Sequence, residues 1–508
     1  MKKAVAGGVI VLITGLASWW LVAAARVPAL PALAGQPLPV VEHLTAAYEH
    51  ARAHPTDAEA LGSLGMAYHA DLFPDRAVEA YRLAERFDPS DWRWPYYMSL
   101  IAADRGHARD AADRLRRVVA LQPDLALAWW RLGDAEFKDG RYDAAVAAYD
   151  RARVVKATPS PARGGGPSRR ETLPVSVYAS LHRARVALVR GELPAAAELL
   201  ETLVAAYPRF GPARRLLGDA DEQLGRSDEA ERQRRLAARS RTAAAPADPM
   251  VDALAEESRS STFLLKEAGV TDLRADGVWR EHLVRRALET NADSPEVVYE
   301  LATLLHQRGR HDEALVLFQR YRDLVPDDDQ VLTQIGRCLG DVGRWAEAER
   351  SLRRALESSD EAVTFYDLGF VLEGQGRRVE AAAAYRRALA LDPGHASAHT
   401  NLAAMLAHDG HAAEALTHFA EAARVAPDDP DVHNNLGGVL AQMGQLNRAR
   451  AEWLAAIDLE PSHADAHANL GVLLQREGRT AEARKEFEAA LRANPQQAVA
   501  RKALRASR

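Results

Sequence analysis

Two pairs of histidines near the C-terminal end of this 508-residue chain have a spacing that suits zinc. His395/His399 and His463/His467 stand four residues apart, which on one face of a helix can place two imidazoles on a metal ion. However, His399, His433 and His467 recur at 34-residue intervals. Helices packed side by side lie about 10 Å apart, whereas ligands sit about 2 Å from a metal, so neighbouring copies cannot share one ion. These histidines are read as core or surface residues of a repeating framework. Cys338 is the single cysteine, which excludes an internal disulfide and a cysteine metal cluster. It falls inside an apolar helix and reads as buried rather than reactive. The run Gly164-Gly165-Gly166 lacks a following Lys-Ser/Thr, and no nucleophile elbow or HExxH pattern occurs. No metal site, cofactor or enzymatic activity is expected.

Two other groups have the chemistry of recognition. Asn401, Asn435 and Asn469 recur one repeat apart, with Asn434 beside the second. An asparagine amide donates and accepts at once, so it can pair with a peptide group. The corresponding positions before them are Asp367, Gln334 and Glu300. Earlier in the chain, Trp92, Trp94, Tyr96, Tyr97, Trp129 and Trp130 concentrate aromatics in a sequence with only 6% of them. Tyr96, Tyr97 and Trp130, beside Arg131, have the composition of a binding anchor. The same residues also suit internal packing, and both readings stand.

The element that must carry these residues is a repeat. From Pro295 to Pro495 six segments share one pattern, of which VHNNLGGVLAQMGQLNRARAEWLAA and AHANLGVLLQREGRTAEARKEFEAA are two. Each has Leu or Ile followed by Gly or Ala, a second Gly seven residues later, then Ala, then an aromatic or Leu. The small residue permits close helix approach. The second Gly ends the first helix, because it accepts a left-handed cap cheaply, and the Ala and the aromatic lie on one stripe of the second helix. Pro326, Pro393, Pro427, Pro461 and Pro495 close units, since proline lacks the N–H that would continue a helix. Such a period marks a stacked array, in which no unit buries its apolar face alone.

These residues resemble the tetratricopeptide repeat family. The resemblance implies an all-α solenoid, a superhelix of antiparallel helix pairs that binds a protein or extended peptide in its concave groove. The asparagine row is similar to the ladder in the repeat domain of the O-linked N-acetylglucosamine transferase, which grips peptide backbone. By that likeness Asn401, Asn434, Asn435, Asn469 and Asp367 are candidate peptide contacts.

The whole chain divides on this pattern. Residues 27–57 form a spacer and capping helix, 58–157 three repeats, 158–176 a flexible insert, and 177–244 two repeats. Residues 245–294 form a linker and a degenerate repeat, 295–495 the six clear repeats, and 496–508 a terminal capping helix. The segment Glu231–Arg241 carries five arginines and reads as a solvated basic face or, alternatively, a site for an acidic partner.

Residues 1–26 are set apart. Lys2 and Lys3 precede an uncharged run from Ala4 to Ala25, about 33 Å as a helix and long enough for a bilayer core of ~30 Å. The positive-inside rule leaves the remainder outside the cytoplasm. A single-pass bacterial inner-membrane protein facing the periplasm is expected. The alternative is cleavage after Ala32-Leu33-Ala34 and release into the periplasm. A net charge of −6 points to no nucleic-acid partner. The expected function is a membrane-anchored scaffold in envelope assembly; the alternatives are an accessory subunit of an envelope enzyme complex and a structural subunit using its convex face.

Overall fold

The computed structural model describes residues 24–155, 173–238, 245–269 and 273–506, and every regular element among them is helical. The run expected to cross a membrane lies, apart from its last residues, outside the described residues, as does most of the insert at 158–176. Among the described residues no helix is long and apolar enough to cross a membrane.

The chain forms two compact units, Met1–Leu301 and Ala302–Arg508. In the first, α1 (Leu38–Ala53) is followed by five helix pairs: α2 (Ala58–Ala70) with α3 (Pro74–Phe87), α4 (Arg93–Asp104) with α5 (Ala108–Leu121), α6 (Ala126–Lys138) with α7 (Tyr142–Val154), α8 (Val175–Val189) with α9 (Leu193–Ala206), and α10 (Gly211–Gln223) with α11 (Ser227–Ala238). Three further helices, α12 (Pro249–Glu257), α13 (Ser261–Gly269) and α14 (Leu273–Thr290), precede α15 (Pro295–Gln307), in which the division falls. The second unit continues with α16 (His311–Leu324) and then the pairs α17 (Val331–Asp341) with α18 (Trp345–Ser358), α19 (Ala362–Gly374) with α20 (Arg378–Leu391), α21 (Ala396–His408) with α22 (Ala412–Val425), α23 (Pro430–Gln442) with α24 (Leu446–Leu459), and α25 (Ala464–Arg476) with α26 (Thr480–Ala493). The last helix, α27 (Ala498–Ala506), packs on α26.

Three residues join the members of each repeat pair, so the chain reverses and the pair packs as an antiparallel hairpin. In most pairs the reversal is a glycine turn, as at Gly309 and Gly376, whose φ near +75° a Cβ would strain; in the first pair Leu72 takes that conformation. Close approach within a pair is equally specific. A Cβ built on Gly65 would lie 2.5 Å from the Tyr81 ring. The ring and the alanines around it, Ala77 and Ala84, are fully buried. Within each unit the second helix of a pair also rests on the first helix of the next, which buries the other side of its apolar stripe.

Candidate partner-binding surfaces

In the N-terminal unit the aromatic cluster lies on α4 and α6, the first helices of the second and third pairs. Of its members, Tyr96 meets the chain's own segment 245–260 instead of an open groove. Tyr96, Tyr97 and Trp130 are all buried. Asp248 caps α12 by accepting from the backbone N–H groups of Met250 (2.9 Å) and Val251 (3.4 Å) through one oxygen. Its other oxygen accepts from the Tyr96 hydroxyl at 2.7 Å and from Arg131 Nε at 2.7 Å. Burial alone would weaken the Arg131 charge, but the Asp248 carboxylate more than compensates and raises its pKa. Tyr97 stacks on Tyr81 with ring centroids 5.4 Å apart. Trp130 leans on His182 at 5.2 Å within the core between α6, α7 and α8. The expected use of Tyr96, Tyr97, Trp130 and Arg131 as groove contacts is thereby corrected: they are packing and docking residues.

The segment is fastened elsewhere too. Ser258 Oγ donates to the Ala70 carbonyl (2.9 Å), and the Arg259 N–H donates to Asp71 (2.8 Å). His43 on α1 bridges Asp71 at 2.8 Å and Glu257 at 2.9 Å. Burial would lower the His43 pKa, but the hydrogen bonds and charges of the two carboxylates outweigh it and raise the value to about 9. Arg286 donates to the carbonyls of Glu256 (2.8 Å) and Ser258 (2.9 Å), covering the C-terminal end of α12. The strap therefore lies on the first-helix face of the initial pairs. The Arg-rich helix α11 is neutralised locally, with Arg234 paired to Glu222 at 3.1 Å and Arg235 to Glu231 at 2.9 Å. Arg239 and Arg241 lie outside the described residues.

In the C-terminal unit the first helices of successive pairs touch one another directly. Asn469 Nδ2 on α25 donates to Asn434 Oδ1 on α23 at 2.9 Å, and Asn434 Nδ2 reaches Asn435 Oδ1 at 3.4 Å. All three are half-buried. Among the described residues the Asn435 amide donors and the Asn469 acceptor are left at the two ends of this chain of bonds. Asn401 is turned inward, donating to the hydroxyls of Tyr385 (3.3 Å) and Tyr366 (3.5 Å). Asp367 is buried and ion-paired with Arg337 at 2.8 Å, so its expected role as a peptide contact is corrected. Burial raises its carboxyl pKa, opposed by that guanidinium.

The recurring histidines serve the framework. His433 and His467 each bridge a proline carbonyl of the preceding turn (2.8 and 3.1 Å) and a glutamate nineteen residues on, Glu452 at 2.7 Å and Glu486 at 2.6 Å. His399 meets His418 at the equivalent place. His395 and His463 cap α21 and α25.

One constellation was not expected. His306 at the end of α15, His311 at the start of α16, and Cys338 and Asp341 on α17 converge. His306 Nδ1 lies 3.2 Å from Cys338 Sγ and 3.2 Å from His311 Nδ1, while Asp341 Oδ2 is 3.6 and 3.5 Å from the two imidazoles. Burial, and then the Asp341 charge, push the Cys338 thiol up to about 12. The signal was present in the sequence: Cys338 follows His306 by 32 residues, close to the repeat period, so the two fall on neighbouring first helices.

Sequence profiles described as tetratricopeptide repeat match residues 98–161, 174–249 and 434–498, and a second such profile matches 281–338 and 372–434. An uncharacterised TPR repeat-containing protein of Arabidopsis thaliana is 32% identical over 149 residues, 28% of this chain and 17% of that protein. A probable biofilm formation methyltransferase of Pseudomonas aeruginosa, WspC, is 41% identical over 70 residues, 14% of this chain and 17% of its own length. The chain thus spans about a sixth of these curated relatives. Among solved structures, YrrB, a TPR protein with an unusual peptide-binding site, is 24% identical, covering 36% of this chain and 95% of its own, with a TM-score of 0.28.

Proposed function

The chain belongs to the tetratricopeptide repeat family, and on that premise we propose that it is a non-enzymatic scaffold whose unit Ala302–Arg508 captures an extended segment of a protein partner. The observation that carries this reading is the bonded row Asn469–Asn434–Asn435 on the first-helix face, with an unused acceptor at one end and unused donors at the other. A peptide backbone offers the complementary pair, one N–H and one C=O per residue. The chain's own strap lies over the same face of the initial pairs of the N-terminal unit, so capture is assigned to the C-terminal unit. The reading includes an N-terminal anchor holding the scaffold in the bacterial envelope, supported by Lys2, Lys3 and the apolar run after them.

Panning a displayed peptide library against the full chain tests the capture. Enriched peptides bind the wild-type chain. The double variant Asn435→Ala, Asn469→Ala loses hydrogen bonds worth about 1 kcal/mol each, which weakens binding by on the order of tenfold or more. Helical content by circular dichroism stays unchanged. No enrichment, or equal affinity in the folded double variant, overturns the assignment.

A further inference from the structure

We propose that His306, His311 and Cys338, with Asp341 beside the two imidazoles, form a binding site for a divalent transition-metal ion of the zinc class, which ties the turn between α15 and α16 to the last turn of α17. Three observations carry it. First, the four side chains come from three helices and their donor atoms converge: the ligand atoms of His306, His311 and Cys338 all lie within 4.8 Å of one another, and Asp341 Oδ2 sits within 3.6 Å of both imidazoles. Second, the separations around His306, and that between His311 and Asp341, are close to the edges of a coordination polyhedron. Bonds of about 2.0–2.3 Å at tetrahedral angles give ligand–ligand edges of about 3.3–3.6 Å. The His306–His311 and His306–Cys338 edges are 3.2 Å each, and the edges to Asp341 are 3.6 and 3.5 Å. Third, His306 Nδ1 faces three acceptor-capable atoms at once and can share at most one proton among them, whereas one cation answers both imidazoles and the thiolate together.

The donor set selects the metal. Two imidazoles and a thiolate favour zinc, cobalt, nickel or copper over calcium and magnesium, which take oxygen ligands. With Asp341 turning in as the fourth ligand no position stays open, and the site is structural rather than catalytic. Binding replaces the Cys338 S–H by a metal–sulfur bond and releases that proton to solvent. Cys338 is fully buried, and the Asp341 side chain is 31% exposed, which gives the ion an entry on the Asp341 side.

Cobalt(II) and zinc(II) titration of the metal-free full-length chain tests the site. The wild-type chain is expected to take up one cobalt with a thiolate-to-cobalt charge-transfer band, visible d–d bands of tetrahedral intensity, and loss of both on adding zinc. Cys338→Ser abolishes the charge-transfer band, and His306→Gln and His311→Gln each weaken uptake. His311 is part-exposed, so that variant remains informative where Cys338→Ser does not fold, and circular dichroism of the metal-free variants separates the two causes. Absence of the charge-transfer band in the wild-type chain, or unchanged cobalt affinity in both histidine variants, overturns the proposal. Neither outcome bears on peptide capture, which is read at Asn435 and Asn469.

Discussion

Asp248 and Arg131 lie 117 residues apart in sequence and meet as an ion pair over α4 and α6, with the Tyr96 hydroxyl bound to the same carboxylate oxygen. The pair converts a linker between repeats into a strap. Asp248→Ala removes the carboxylate from that contact and takes from a buried phenol and a guanidinium the acceptor they share. A loss of about 3 kcal/mol of unfolding free energy is expected, because breaking such a pair from one side strands the other charge. Urea denaturation measures it. Limited proteolysis is expected to cut the variant between 245 and 260 before the rest of the chain. An unchanged urea midpoint would show that the strap is held without this carboxylate.

The strap also makes stability depend on pH. His43 has its pKa raised to about 9 by Asp71 and Glu257, against the burial that would lower it. A raised value means that the contribution is complete below the unfolded value of about 6.5 and is lost as pH rises through 9. After allowing for screening at a partly exposed site, about 2 kcal/mol is expected to disappear over that window. His69, whose pKa burial lowers to about 4, is neutral in the folded state there, and His433 also has a raised pKa, so the His43 share is read by difference from a His43→Gln variant. Denaturation midpoints at pH 6.5 and 9 check this; His43→Gln is expected to reduce the difference by that amount.

Adjacent glycines on α23 give opposite forecasts. A Cβ on Gly437 would lie 2.6 Å from Trp453 Nε1 and 3.1 Å from the Ala449 carbonyl, which is backbone and cannot rotate away. On Gly438 it would meet nothing within 4 Å. Gly437→Ala is expected to cost roughly 1–3 kcal/mol through overpacking. Gly438→Ala is expected to stabilise by up to about 1 kcal/mol, the helix propensity gained over glycine. Thermal denaturation of the two single variants, side by side, decides it; equal shifts would contradict the packing described.

Much of this was legible in the sequence because the repeat states it six times over. Gly437 before the aromatic Trp453, and the glycine turn at Gly376, follow from period and residue size alone. The strap was not legible. Asp248 sits outside the period, and nothing local says that its carboxylate will meet Arg131. Tyr96 falls at a register position that faces a groove in a bare repeat, and the chain's return brings Asp248 onto its hydroxyl, whereas Tyr97 is taken up by packing on Tyr81. Asp367 misled for a related reason: its place in the asparagine row is real, but Arg337 on the neighbouring first helix, 30 residues before it, neutralises it. Contacts between first helices recur at about one period, and that signal also joins His306 to Cys338.

The histidine bridges between paired helices yield a last forecast. Glu452 accepts from His433 at 2.7 Å, and this hydrogen bond, opposed by burial and aided by the Pro427 carbonyl, raises the His433 pKa. The charged imidazole therefore favours the folded state at pH below the unfolded value, and that contribution fades as pH rises through the folded one. Glu452→Gln keeps an acceptor but removes the charge. The His433 titration midpoint, followed by its ring proton resonances in the nuclear magnetic resonance spectrum, is expected to fall in this variant, and acidic-side stability with it. A midpoint that stays where it was would mean that the Pro427 carbonyl, at 2.8 Å from the other ring nitrogen, holds the proton without help from Glu452.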